Sequence, residues 1–146
     1  MRQNLFKLSI LLLTFTSMAA TQSQSPDKPN PFKSGQSVYL MVMKGNCSPY
    51  FAGERELRHE FEKLKVFKIA SSMQAADFIF LVYFDIGIYD FEYKRLYAFA
   101  VSPATYTKYK TDLYNLRDEA LWISEKDDYL NYKTIVKLFH DNVLKK

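Results

Sequence analysis

Residues 76–85 read ADFIFLVYFD and, after an intervening turn region, residues 95–101 read RLYAFAV. Both runs are apolar at odd and even positions alike, which is the pattern of strands covered on both faces. They predict the middle of a sheet, with Asp77 at a strand start and Asp85 at a turn.

Just upstream, residues 66–70 (VFKIA) read as a short strand and residues 71–76 as a connecting turn. Before them the period changes: Leu57, Phe61 and Leu64 stand at i, i+4 and i+7 among charged residues, so 54–65 reads as an amphipathic helix. Glu54 and Glu56 in its first turn and Lys63 and Lys65 in its last complement the helix dipole. Residues 37–43 (SVYLMVM) give another strand, ended by Gly45-Asn46, and a loop with Pro49 and Gly53 leads into the helix. Strand, helix, strand, short connection, strand is the grammar of a βαβ start, which requires a parallel pair and a right-handed crossover.

Downstream, Asp85-Ile86-Gly87 and the tract 90–94 offer turn sites, so the run 95–101 pairs most simply as an antiparallel neighbour. Residues 105–118 (TYTKYKTDLYNLRD) mix polar residues with three tyrosines and read as a long exposed loop. Residues 120–124 (ALWIS) supply the last strand. In 127–146, Ile135, Leu138, Phe139, Asn142 and Val143 share one stripe, with Asp127 and Asp128 at one end and Lys145 and Lys146 at the other. That is a second amphipathic helix. The predicted fold class is α/β (α+β): a single mixed sheet of about five strands in β-α-β-β-β-β-α order, with two amphipathic helices packed on it.

The N-terminus has a different grammar. Arg2 and Lys7 precede the apolar run 8–15 (LSILLLTF), and the small-residue segment 16–20 follows, so residues 1–20 read as a secretory signal peptide cut after Ala19 or Ala20. The run is shorter than the ~20 residues a spanning helix needs, so no transmembrane anchor is expected after cleavage. Removing the leader takes Arg2 and Lys7 from a chain of formal charge +4 and leaves a nearly neutral domain, which weakens any nucleic-acid reading. Residues 21–35 hold three prolines, Ser and Gln residues and one large apolar group, Phe32, and are expected to be a flexible linker. A single domain then occupies 36–146. The expected localisation is exported, periplasmic or secreted.

Chemistry-bearing constellations are sparse. Cys47 is the only cysteine, so the domain has no internal disulfide. It reads as a small buried apolar residue, with a free thiol or an intermolecular bridge as the alternatives. A thiol–imidazole pair would join Cys47 to His59 or His140, with Asp77 or Asp141 orienting the ring, but no nucleophile signature surrounds Cys47. Asp85, Asp90 and Glu92 flank a turn, where acidic residues ordinarily serve turn chemistry and solubility. Met41 and Met43 near Cys47 have the softness that suits monovalent copper, yet on a strand they fill core space. Asn46-Cys47-Ser48 matches a glycosylation acceptor that Pro49 makes a poor one. The expectation is therefore no enzyme, no cofactor and no metal.

What remains is the 105–118 segment, where aromatics and cations interleave. Tyr106, Lys108, Tyr109, Lys110, Tyr114 and Arg117 form the candidate partner-binding set, suited to a protein or a glycan. The order of strand, helix, short strand, Ala76-Asp77 with a long apolar strand, antiparallel strand, Leu121-Trp122-Ile123 strand and closing helix resembles small bacterial envelope domains. These are the amino-terminal domain of the Tol-Pal system's periplasmic propeller protein and the curli-secretion lipoprotein type. The chain departs from them in having no lipid-acceptor cysteine and no propeller after the domain. The resemblance implies a non-catalytic module that binds partners in the cell envelope, and it carries over no functional residue. The expected function is thus an exported interaction module that uses a sheet edge or the 105–118 segment. The alternative is a small-molecule carrier with a pocket lined by Phe61, Phe80 and Phe139 between helix and sheet.

Overall fold

In the computed structural model, residues 30–45, 48–86, 94–110, 112–126 and 132–144 are described. The leader, most of the linker, Cys47, Asp90, Glu92, Asp127, Asp128, Lys145 and Lys146 lie outside that set. The chain builds β1 (Ser37–Lys44), β2 (Ser48–Pro49), α1 (Phe51–Leu64), β3 (Lys68–Ile69), a 3₁₀ turn (Met73–Ala75) and β4 (Phe78–Ile86). It continues with β5 (Lys94–Val101), α2 (Pro103–Tyr109), α3 (Leu113–Asp118), β6 (Trp122–Lys126) and α4 (Tyr132–Val143). The α/β class with one mixed sheet holds.

The sheet runs β2-β1-β4-β5-β6, with β3 also on the outer edge of β1. β1 pairs in parallel with β4 over Val38↔Phe78 to Lys44↔Phe84, as the βαβ grammar requires. β4 pairs antiparallel with β5, and β5 with β6. On the other side of β1, β2 covers Met43 and Lys44, and β3 covers Ser37 and Val38.

Both faces of β4 are buried, because alternate side chains enter two separate cores. Phe78, Phe80 and Val82 point to the face covered by α1 and α4, where they meet Leu57, Phe61, Ile135, Val136, Phe139 and Val143. Ile79, Leu81 and Tyr83 point to the opposite face, with Phe99, Val101 and Leu116. On the first face a connected set of rings fills the layer: Phe61 lies 4.8 Å from Phe80, Phe80 5.0 Å from Phe139, and Trp122 5.1 Å from Phe139. Rings tilted or edge-on in this way add about 0.5–1.5 kcal/mol per pair beyond their area burial.

α1 closes on Lys65, which takes the left-handed conformation (φ 53°) usual for a helix C-terminus. At its other end Gly53 is a close-approach position: a Cβ there would run into Tyr132 Oη and come within 2.6 Å of Tyr50 Cδ1. That absence of a side chain lets the start of α4 sit against the first turn of α1.

Two expectations need correcting. Phe32, assigned to a flexible linker, is only 4% exposed and packs edge-on to Phe78 and Phe139, 5.1 Å from each. The folded unit therefore begins at least as early as Asn30, with the buried ring contributing about 1.5–3 kcal/mol toward ordering the segment. The 105–118 segment, expected to be an exposed loop, forms most of α2 and all of α3. Ser102 caps α2 by accepting the Thr105 N–H at 3.0 Å, with Pro103 in the first turn, and Asp112 caps α3 by accepting the Asn115 N–H at 3.2 Å. Tyr106, Tyr109, Leu113 and Leu116 form the inward stripe. Counting tyrosines as polar hid that stripe.

Candidate partner-binding surface

The α2–α3 pair lies on the second face of the sheet. Tyr106 and Tyr109 are half-buried and lean on the core beneath, so only their outer parts face solvent. Lys108 and Tyr109 converge on Glu119, just past α3: Lys108 Nζ donates to Glu119 Oε1 at 3.3 Å, and Tyr109 Oη donates to the same oxygen. Lys108 Nζ also lies 4.4 Å from the centre of the Tyr109 ring, within cation–π range. The hydrogen bond from Tyr109, with that from Lys108, holds the Glu119 carboxyl below its ordinary range, and the Lys108 ammonium is held above its own by Tyr109 and Glu119. This triad ties the end of α2 to the residue just past α3.

Lys110 is exposed at φ 47°, and its N–H bonds Tyr106 O at 2.6 Å to close α2. Arg117 is exposed in the last turn of α3. Tyr114, on the outer side of α3, is 84% exposed and is the most exposed large hydrophobic residue among those described. The six expected residues thus lie on one helical pair with divided roles: Tyr106 and Tyr109 anchor it, Lys108 braces it, and Tyr114, Lys110 and Arg117 face outward.

Past α3 the chain passes Glu119 and Ala120 to Leu121, 37% exposed, whose N–H donates to Ala100 O at 2.8 Å as β6 begins. β6 pairs with β5 on one side, and among the described residues no strand pairs with its other side. The open edge and the outer side of α3 are joined by a few residues of chain. Sequence reasoning passed over Leu121 as an exposed side chain and Glu119 as the brace, because their setting depends on the helical pair. It also passed over Phe51, at the opposite end of the molecule, which is 73% exposed in the first turn of α1.

The other groupings weighed from the sequence are not assembled among the described residues. His59 is exposed on α1, and His140 Nδ1 lies 3.2 Å from Asp141 Oδ1 on its own helix. Asp77 instead serves the backbone: its Oδ2 accepts the Ser37 N–H at 2.6 Å and the Ser37 hydroxyl at 2.8 Å, joining the starts of β1 and β4. These bonds, the backbone one first, lower the Asp77 pKa. Met41 and Met43 face the second core. No described group of three His, Cys, Asp or Glu residues is placed to hold a metal. Asp85 pairs with Arg95 in the β4–β5 backbone register one residue before β4 ends, and Cys47, Asp90 and Glu92 lie outside the described residues. Phe61, Phe80 and Phe139, expected to line a carrier pocket, pack directly on one another and fill the layer themselves. No described helix is long and apolar enough to cross a membrane.

The described residues thus form a mixed sheet with a long helical pair on one face and a short braced pair on the other, and among them no strand pairs with the outer side of β6. Compared with known proteins, the chain matches no family model, no curated protein and no solved structure.

Proposed function

We propose that the protein is an exported, non-enzymatic interaction module of the cell envelope, which takes a protein partner along β6 and the outer side of α3. The observation that carries this reading is the unequal treatment of the two sheet edges. β1 is covered at both ends by β2 and β3, whereas β6 has no described strand on its outer side. An unpaired edge offers main-chain donors and acceptors to an added strand, and a flanking aromatic adds specificity. Leu121 supplies exposed apolar surface at the start of that edge and Tyr114 supplies it on the outer side of α3, and tyrosine is a favoured interface residue. The leader-like residues 1–20 support export, and the resemblance to envelope domains agrees with a binding role.

Site-specific photo-crosslinking in the native envelope tests this. A photoreactive residue at Tyr114 or Leu121 is expected to capture the same protein partner, and one at His59, exposed on α1, is expected to capture none. Equal capture at all three positions, or none at Tyr114 and Leu121, would remove the assignment.

A further inference from the structure

The segment 30–36 touches the rest of the molecule in an unusual way. Asn30, Pro31, Lys33, Ser34 and Gly35 are exposed, and Phe32 alone is buried. Most of the segment's hydrogen bonds are internal: Phe32 N–H donates to Asn30 Oδ1 (3.0 Å), Lys33 N–H to Gln36 Oε1 (2.7 Å), and Gln36 Nε2 to Pro31 O (3.2 Å). Ahead of β1, its polar ties to the body are Asn30 Nδ2 donating to Val143 O, Gly35 N–H donating to Val66 O at 2.8 Å, and Gln36 O accepting the Lys68 N–H at 2.9 Å. The segment therefore keeps much of its own shape and commits a single side chain to the core, with Gly35 at φ 88° marking the joint before β1.

The ring sits where three elements meet. Phe32 stands edge-on to Phe78 of β4 and Phe139 of α4, while Phe67, ahead of β3, lies 5.2 Å from Phe78 and 5.8 Å from Phe139. Without Phe32 these three rings would border a recess at the end of the core, shaped for a flat apolar side chain and next to a carbonyl, Val143 O, that accepts an amide donor.

We propose that residues 30–36 are a detachable plug and that the recess beneath is a binding site for an aromatic side chain carried on a short extended segment. The chain's own Asn30-Pro31-Phe32 is the template for that ligand. Local openings that leave a core intact are drawn from segments with few buried contacts, and a single-ring plug is such a segment. Docking in cis sets a high effective concentration, so an outside segment competes only when the plug is weakened. The site is independent of the β6 edge and stands whether or not that surface binds a partner.

Hydrogen exchange on the unmodified protein provides the first test. The Gly35 and Phe32 amides are expected to exchange about a hundredfold faster than those of Phe80 and Ala98, through an opening that low denaturant does not accelerate. Exchange of all four at one common rate would overturn the plug. The second test uses the full chain carrying Phe32→Ala and the peptide KPNPFKSGQ, which repeats residues 28–36. The peptide is expected to bind the variant and restore slow exchange at Phe78, whereas the same peptide with alanine for phenylalanine is not. Equal binding of the two peptides, binding of neither, or failure of Phe32→Ala to fold would each overturn the proposal.

Discussion

The two faces of the sheet are covered by helices in opposite ways. On one face α1 and α4 bury Leu57, Phe61, Tyr132, Ile135, Val136, Phe139 and Val143 against β1, β4, β5 and β6. On the other, α2 and α3 commit one fully buried side chain, Leu116, and hold their shape through end caps and the Lys108–Tyr109–Glu119 brace. Hydrophobic burial therefore dominates the first pair, while the second adds end caps and an exposed brace to a smaller buried stripe. Helices as short as α2 and α3 are marginal alone, so their order depends on those caps and on Leu116. A surface held in this way can be altered, or can adapt to a partner, while the sheet beneath persists.

The largest expected effect tests the first half of that contrast. Phe139→Ala should cost about 3–5 kcal/mol in urea unfolding, since the ring touches Phe32, Phe61, Phe67, Phe78, Phe80 and Trp122. Leu116→Ala should cost about 2–3 kcal/mol, with loss of amide protection confined to α2 and α3. A Leu116→Ala cost above that of Phe139→Ala would reverse the ranking of the faces. Gly53→Ala is expected to lose about 1–3 kcal/mol from overpacking against Tyr132 and Tyr50, despite the roughly 1 kcal/mol by which alanine exceeds glycine in helix preference. A stabilised Gly53→Ala would show that helix preference outweighs the close α1–α4 contact at this position.

Ser102→Ala and Asp112→Ala should each cost about 1 kcal/mol, read by thermal unfolding, and should act on the second face alone. The smallest expected effect belongs to Asp77. Its folded pKa lies below the ordinary 3.8, so its contribution is present above that value and is lost as pH falls through the lowered pKa. In acid titrations followed by circular dichroism, Asp77→Asn should make the loss of stability below about pH 4 shallower. Asp112, lowered by its bonds to Asn115, and Glu119, lowered chiefly by Tyr109, should keep their own share. An unchanged acid limb would remove Asp77 from that account.

The sheet and its first covering were legible because period and burial agree there. Within the doubly apolar run 76–85, Phe78 to Tyr83 are buried on both sides, and Leu57 and Phe61 face the core as their spacing requires. α2 and α3 were not read as helices, because each is under two turns long by residue count and tyrosines carry half of the inward stripe. Their cap signals, Ser102-Pro103 and Asp112 with Asn115, were present in the sequence. Phe32 was hidden by its polar, proline-rich neighbours, since composition averages over a segment while burial acts on one ring. The six candidate binding residues fall on α2, its closing residue Lys110 and α3, and nothing in their spacing separates the anchoring Tyr106 and Tyr109 from the outward Tyr114.

The short strands β2 and β3 have a consequence for assembly. Because they occupy both ends of the outer side of β1, sheet extension is confined to the β6 side. If two copies join edge to edge they do so antiparallel through β6, and the combined sheet then presents a blunted β1 margin at each end. Such growth terminates at a closed pair, which sets a stoichiometric limit of two and guards a sheet rich in Phe, Tyr and Val against running on into fibres.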